Sequence, residues 1–375
     1  MPIYLDHNAT TRPAPEVAET VVRVMREGFA NPGSQHQWGR AARRILEDAR
    51  DRIAGILDAE PDELVFTSGG TESINLALFG LARRTGALLT GPGEHPATRE
   101  TIRALRQRGW SPREFSVDPQ GRLAQPEQTL AHHDDTQLVS CLLAHNETGV
   151  IQDLAPLIAR CNAAGIPTHV DAVQAVGKIS VSFKKLGATA MSFGAHKFHG
   201  PRGVGGLIVR RGVSLSSLHL GGHQESGRRP GTEPVALIAG MARALELWRE
   251  HQSSRLETMT TARDLLEREL GRACPPIHVH AAEAHRLPNT ASIAFPGLDG
   301  EALLVALDLA GIACSLGSTC ASGSAEPAPI LLAMGVPPDT ALATVRFSVG
   351  WETTPEEVRE AVRRISHVVI NLRDR

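Results

Sequence analysis

A lysine stands where an apolar run ends and a glycine-rich turn begins. In Ala190–Gly206, AMSFGAHKFHGPRGVGG, the run Ala188 to Phe193 reads as a strand that stops at Gly194. His196 and Lys197 follow, with glycines at 200, 203, 205 and 206. A lysine just past a strand end, in a turn too open to crowd a ligand, is placed to reach into a cleft. Of the chain's 39 basic residues only four, Lys178, Lys184, Lys185 and Lys197, are lysines. A sequence that writes arginine almost everywhere and keeps lysine at 197 points to chemistry closed to a guanidinium. A desolvated lysine forms a Schiff base and arginine does not. Taken alone, Lys197 reads more readily as a solvated loop residue, and the rest of the chain must decide.

Three other segments sit at expected strand ends. Thr67-Ser-Gly-Gly-Thr-Glu-Ser joins a strand to a helix, so its small residues expose N–H groups and hydroxyls at the positive helix end, as a phosphate requires. A tight turn with a capping Thr71 or Ser68 looks the same. No lysine follows as in a Walker motif, and GxGxxG is absent. His145-Asn146-Glu147-Thr148-Gly149 offers polar contacts to a ring or substrate, or simply makes a turn. Asp171, in Thr168-His-Val-Asp, is costly to bury without a partner. A cationic ring nitrogen would serve, and so would a structural arginine. Together these segments supply a phosphate cradle, a carboxylate for a pyridinium and a lysine for an aldehyde, which is what pyridoxal 5'-phosphate asks of a protein.

Elements must hold these residues together. Helical periodicity covers Glu16 to Gly28, Gly39 to Leu57, Asn75 to Ala82, Ala97 to Gly109 and Leu154 to Gly165. Strands are expected at 63–67, 87–90, 113–117, 137–144, 166–173, 188–193 and 205–210. Alternation at this spacing predicts an α/β fold with a mostly parallel, doubly wound sheet. The long helical runs 234–249 and 255–270 leave that pattern. The expected division is a large domain over 16–250 and a smaller α+β domain made of 1–15 and 251–375.

At 375 residues, 42% apolar and 21% charged, the chain has the composition of a soluble globular protein. A net charge of −2 gives no electrostatic case for nucleic acid or an anionic membrane. The N-terminus lacks a signal-peptide pattern, and no apolar run is long enough to span a bilayer. Five cysteines (141, 161, 274, 314, 320) form no CxxC or CxxH pair, which argues against zinc and a disulfide framework and suits a reducing cytoplasm. Cys320 lies in Leu316-Gly-Ser-Thr-Cys-Ala-Ser-Gly-Ser, a neighbourhood with little apolar cover, so it reads as a reactive thiol.

The segments YLDHNATT, TSGGTES, HNETG, HVDAVQAVGK, MSFGAHKFHGPRGVG, GGHQESGRRPGTE, RLPNTASIAF, GSTCASGSAEP and TVRFSVG together resemble the signatures of cysteine desulfurases of the nitrogen-fixation and iron–sulfur kind. These enzymes belong to the class V aminotransferase group of pyridoxal-phosphate fold type I, and the resemblance runs from residue 3 to about 372. It implies that Lys197 binds the cofactor covalently and later moves a proton, and that His95 stacks on the ring and assists acid–base steps. It gives Gly70, Thr71 and His196 to the phosphate, with Thr232 reaching it from a partner subunit. Asp171 would hold the ring nitrogen protonated, and Gln174 would bond the phenolic oxygen. Asn146 and Arg346 would bind the substrate carboxylate. Cys320 would take sulfur from L-cysteine as a persulfide, leave L-alanine, and pass the sulfur to an acceptor protein of scaffold or tRNA-thiolation type.

The resemblance also implies a cytoplasmic homodimer. Selenocysteine lyase, another class V carbon–sulfur lyase, and a non-catalytic partner that keeps the fold are the alternatives. Cys314, Leu316, Pro230 and Trp351 depart from the family pattern, and Cys314 is expected in the core. The chain ends at Arg375, short of the C-terminal extension with which such enzymes dock scaffolds, so scaffold docking is the least supported expectation.

Overall fold

The computed structural model describes residues 1–317 and 326–374. Its large sheet has seven strands in the order Leu64–Thr67, Gly205–Val209, Ala190–Gly194, Thr168–Asp171, Thr136–Leu142, Ala87–Thr90 and Ser111–Glu114. Every pairing is parallel except that Gly205–Val209 runs antiparallel to both of its neighbours. The expected mostly parallel α/β sheet is therefore present. Its inner strands are almost wholly buried because crossover helices cover both faces. Leu64 and Phe66 enter one apolar cluster while Val65 enters another, the two-residue alternation of a strand between two layers. The outermost strand, Ser111–Glu114, carries Pro112 and Arg113 and is incompletely buried, as suits an edge.

The expected strand at 113–117 begins two residues earlier, since Ser111 N–H already pairs with the Gly86 carbonyl. The helix after the first strand spans Gly70–Leu81, longer than the expected run from Asn75. Its N-cap is Gly69, with φ +152°, rather than Ser68 or Thr71. Glu72 reaches back instead, and its Oε2 accepts from the Ser68 N–H at 2.7 Å.

A second sheet has four antiparallel strands, Ser315–Leu316, Thr344–Ser348, Thr290–Ala294 and His278–Val279. Helices Gln252–Ala273, Gly300–Leu309 and Pro355–Arg373 pack on it around a separate apolar cluster containing Phe295, Phe347 and Leu266. Cys314, partly buried, packs against the same cluster.

The N-terminal arm ties the two sheets together. Ile3–Tyr4 pairs in parallel with Ile312–Ala313, and Asp6 bridges to Ser348. The arm then crosses to the large sheet, where Thr11 N–H donates to the His196 carbonyl at 2.9 Å and Ala14 N–H to that of His199 at 3.0 Å. Eight residues of arm thus run from one sheet to the turn that carries Lys197. No helix among the described residues is long and apolar enough to cross a membrane.

Candidate active site

The parallel strands end on one side of the large sheet, with Leu142 in register with Asp171 and Asp171 with Ser192. Beyond those ends lies a cavity of about 200 Å3 that brings together Gly70, Thr71, His95, Asn146, Asp171, Gln174, His196 and Lys197. Ile74, Leu142 and Val173 supply its apolar wall. A roomier recess of about 580 Å3 elsewhere is lined by Arg50 and Glu225, which are closed on each other in a 2.7 Å ion pair.

Lys197 follows the Ala190–Gly194 strand in a single turn of 3-10 helix and is half-buried. Its Nζ donates to the main-chain oxygens of Asn8 at 2.7 Å and Ala9 at 2.8 Å. Burial pushes its ammonium down to about 8 and Arg346 adds repulsion, while Asp171 and Asp6 oppose both. A lysine so held exposes a useful fraction of free amine near neutrality.

Asp171 closes its strand and is 1% exposed. Its Oδ1 accepts from the Val173 N–H at 2.9 Å. Burial raises the carboxyl to about 6, against the Val173 bond and the attraction of Lys197. Among the described residues no arginine, lysine or histidine forms an ion pair with it. A buried carboxylate lacking a cation fits the protonated nitrogen of a pyridine ring, which would repay its desolvation.

The helix that starts at Gly70 presents its first-turn residues Gly70 and Thr71, with their free N–H groups, at the cavity wall. Small residues are required there. A Cβ on Gly70 would lie 2.7 Å from Val173 Cγ2, and one on Gly205 would lie 2.7 Å from Gly69 Cα. His196 hydrogen-bonds Thr10 Oγ1 through Nδ1 at 3.2 Å. Burial first, then Lys197 and Lys178, hold its imidazole at about 4, so it is neutral and offers one N–H. Helix dipole, backbone donors and a neutral imidazole make a donor set that fits a phosphate group.

His95 is the N-cap of helix Pro96–Gln107, and its Nδ1 accepts from the Ala97 N–H at 3.1 Å. The ring is held at about 4 by burial, then by Lys197 and Arg99. With Nδ1 committed as acceptor, the neutral ring carries its proton on Nε2. Asn146 lines the cavity while its carbonyl accepts from Asn8 Nδ2 at 3.0 Å and Arg346 Nη1 at 3.3 Å.

Arg346 sits behind Asn146 in the Thr344–Ser348 strand, and its Nη2 pairs with Asp6 Oδ1 at 2.9 Å. Ser315 Oγ donates to the same Asp6 oxygen at 2.9 Å. Arg346 Nε is buried with no hydrogen-bond partner among the described residues. An orphaned guanidinium N–H beside the cavity fits an incoming carboxylate.

Thr232 is exposed and lines a different recess, beside Phe29 and Pro32. Within one chain it does not meet the Lys197 cavity. Cys320 lies outside the described residues. Two residues that the sequence reading passed over lie behind the cavity and bond the side chains that line it. Asn8 is 1% exposed and bonds Lys197, Gln174, Lys178, Asn146, Asn289 and Thr290. Lys178 is 3% exposed and bonds Asn8 and Gln174. The signal for Lys178 was present, since it shares with Lys197 the rarity of lysine in this chain.

Residues 3–360 match the model of the family described as aminotransferase class-V. The chain is 37% identical over 375 residues to a protein named cysteine desulfurase IscS from Dictyoglomus turgidum, covering 99% of this chain and 95% of that one. It is 38% identical over 379 residues to cysteine desulfurase NifS from Azotobacter vinelandii, covering 99% and 94%. A solved structure titled NifS-like protein superposes with a TM-score of 0.92 at 36% identity, covering 99% of this chain and all of that one.

Proposed function

The chain belongs to the class V aminotransferases and, within them, to the cysteine desulfurases, and from that membership we propose how its own residues divide the reaction. It is a pyridoxal-phosphate-dependent enzyme that takes sulfur from L-cysteine and leaves L-alanine. One observation carries the assignment of roles: Lys197, held at about 8, and Asp171, buried without a cation, line the same cavity at the strand ends.

When bound, the cofactor supplies a conjugated electron sink that makes loss of the Cα proton and scission of the C–S bond accessible. Asp171 holds the proton on the ring nitrogen, which keeps that sink effective. Gly70 and Thr71 N–H groups and His196 bind the phosphate, and Gln174 Nε2 donates to the phenolic oxygen. His95, on the cavity wall, would stack on the cofactor ring and offer its Nε2 proton to the substrate. Asn146 and Arg346 orient the substrate carboxylate, Arg346 through its free Nε. Lys197 Nζ would hold the cofactor and move the proton at the substrate Cα. Cys320 Sγ attacks the substrate sulfur, retains it as a persulfide, and delivers it to an acceptor protein.

We propose a homodimer in which Thr232 completes the partner's phosphate site. Its exposure away from its own chain's cavity supports this, as do the neighbouring exposed side chains of Met25, Phe29 and Trp38. The two apolar clusters support reading 16–250 as a cofactor-binding domain and 1–15 with 251–375 as a smaller domain that carries the Cys320 segment. Four free cysteines and the absence of disulfides among the described residues suit a cytoplasmic protein. Acceptors of iron–sulfur scaffold or tRNA-thiolation type both fit a persulfide donor.

The direct test is Lys197→Ala. The variant is expected to lose both the visible absorbance of the loaded enzyme and alanine formation. Turnover retained by this variant would remove the assignment.

A further inference from the structure

Lys178 is buried at 3% exposure and lies behind the cavity rather than in it. Its Nζ donates to Asn8 Oδ1 at 2.7 Å and to Gln174 Oε1 at 2.5 Å. Both acceptors are neutral amides. A buried ammonium without a carboxylate is expensive, and an apolar side chain of similar length would fill the space at less cost. Burial, with repulsion from Lys197 and Arg346, drives Lys178 far below the ordinary lysine range. Its retention calls for a role.

A side-chain amide can face either way, and only its partners decide between oxygen and nitrogen. Gln174 has two partners of opposite kind. Lys178 Nζ gives one N–H to Asn8 Oδ1 and another to Gln174 Oε1, which fixes Oε1 toward it. The Asn8 carbonyl can only accept, which fixes Nε2 toward it at 3.0 Å. The reversed amide would set two donors against each other and two acceptors against each other. Nε2 has a second N–H, and Gln174 lines the cavity.

We propose that Lys178 is a positioning residue that locks the Gln174 amide, so that a nitrogen donor and never an oxygen faces the cofactor's phenolic oxygen; this rests on Gln174 being the residue that meets that oxygen. The same amine orders Asn8. With Oδ1 taken by Lys178 and by Asn289 Nδ2 at 3.0 Å, Asn8 turns Nδ2 to the Asn146 carbonyl at 3.0 Å and Thr290 Oγ1 at 2.9 Å. Its main-chain oxygen meanwhile holds Lys197. One buried amine therefore orders Gln174, Asn146 and, through the Asn8 main chain, Lys197.

The test is a pH titration of the visible absorbance of the cofactor-loaded enzyme without substrate. Four proteins are compared: wild type, Lys178→Met, Gln174→Leu and the double variant. A donor to the phenolic oxygen favours its anionic form, so losing that donor raises the midpoint. Each single variant is expected to shift it up by about one pH unit, the worth of one hydrogen bond to a charged group. The double variant is expected to match Gln174→Leu alone, because Lys178 acts through that amide.

A wild-type midpoint in Lys178→Met overturns the proposal. So does a Lys178 shift that persists in full without Gln174, which would make it a through-space charge effect. An unmoved midpoint in Gln174→Leu itself would instead remove the placement of Gln174 on the phenolic oxygen, and the proposal with it. Should Lys178→Met not fold, the uncharged Lys178→Gln is carried through the same cycle, with the same shift expected.

Discussion

Lys197 Nζ is held 2.7 Å from the main-chain oxygen of Asn8, a residue 189 positions earlier in the chain. The arm bearing Asn8 is anchored in the second sheet through Ile3–Tyr4 and Asp6 and reaches the large sheet through Thr11. Lys197 is thus gripped by a strap running from one sheet to the other. Loosening either anchor displaces both the amine and the Asn146 carbonyl that Asn8 also holds.

Asp171 carries a cost in the cofactor-free protein that binding removes. Its carboxyl binds a proton more tightly folded, at about 6, than at its ordinary 3.8. The folded state therefore holds more protons between these values, and stability falls as pH rises through them. Two units correspond to about 3 kcal/mol. Cofactor-free Asp171→Asn is expected to be more stable than cofactor-free wild type at pH 7.5 by up to about that amount, with the difference gone below pH 4. Urea denaturation at both pH values checks this. With the cofactor loaded, the same variant is expected to lose about 100-fold or more in turnover, since nothing then holds the ring nitrogen protonated.

Arg346 is expected to act on substrate binding. Replacing it by lysine keeps the charge opposite Asp6 but removes the buried Nε–H that has no partner among the described residues. The loss of one charge-assisted hydrogen bond predicts a KM for L-cysteine raised about 10- to 100-fold. The visible spectrum of the substrate-free enzyme is expected to be unchanged. Steady-state kinetics alongside absorbance separates the two effects.

The apolar surface near Thr232 gives a separate prediction. Phe29 is 68% exposed and Met25 64%, which is unusual for large apolar side chains on a free surface. Phe29→Glu combined with Met25→Glu is expected to shift the protein from dimer to monomer in sedimentation velocity, and to weaken cofactor retention as the Thr232 contact is lost. A wild-type sedimentation coefficient in that variant would place the subunit contact elsewhere.

The sequence reading and the structure agree closely where local rules decide. Ala87–Thr90 is an apolar run bounded by turns, and it is a strand over those same residues. The cavity gathers Asp171, Lys197, His95 and the Gly70 turn because each lies at or just past a strand end, and strand ends share one side of a parallel sheet. What depended on distant partners escaped. No local signal says that Gly205–Val209 inserts antiparallel between two other strands. Asn8 stands in YLDHNATT with no local sign of a role, yet its importance comes from contacts with positions 146, 174, 178 and 197. Arg346 was read as a substrate ligand, but its pairing with Asp6 was hidden by 340 residues of intervening chain.

The most direct measurement is alanine and sulfide released from L-cysteine with a reductant present, by wild type and by Cys320→Ala. The account predicts that wild type forms alanine and that the variant falls to background while keeping its visible spectrum. Sulfide release that survives the substitution would contradict a persulfide-forming desulfurase and make the enzyme a lyase in which the Cys320 thiol takes no part.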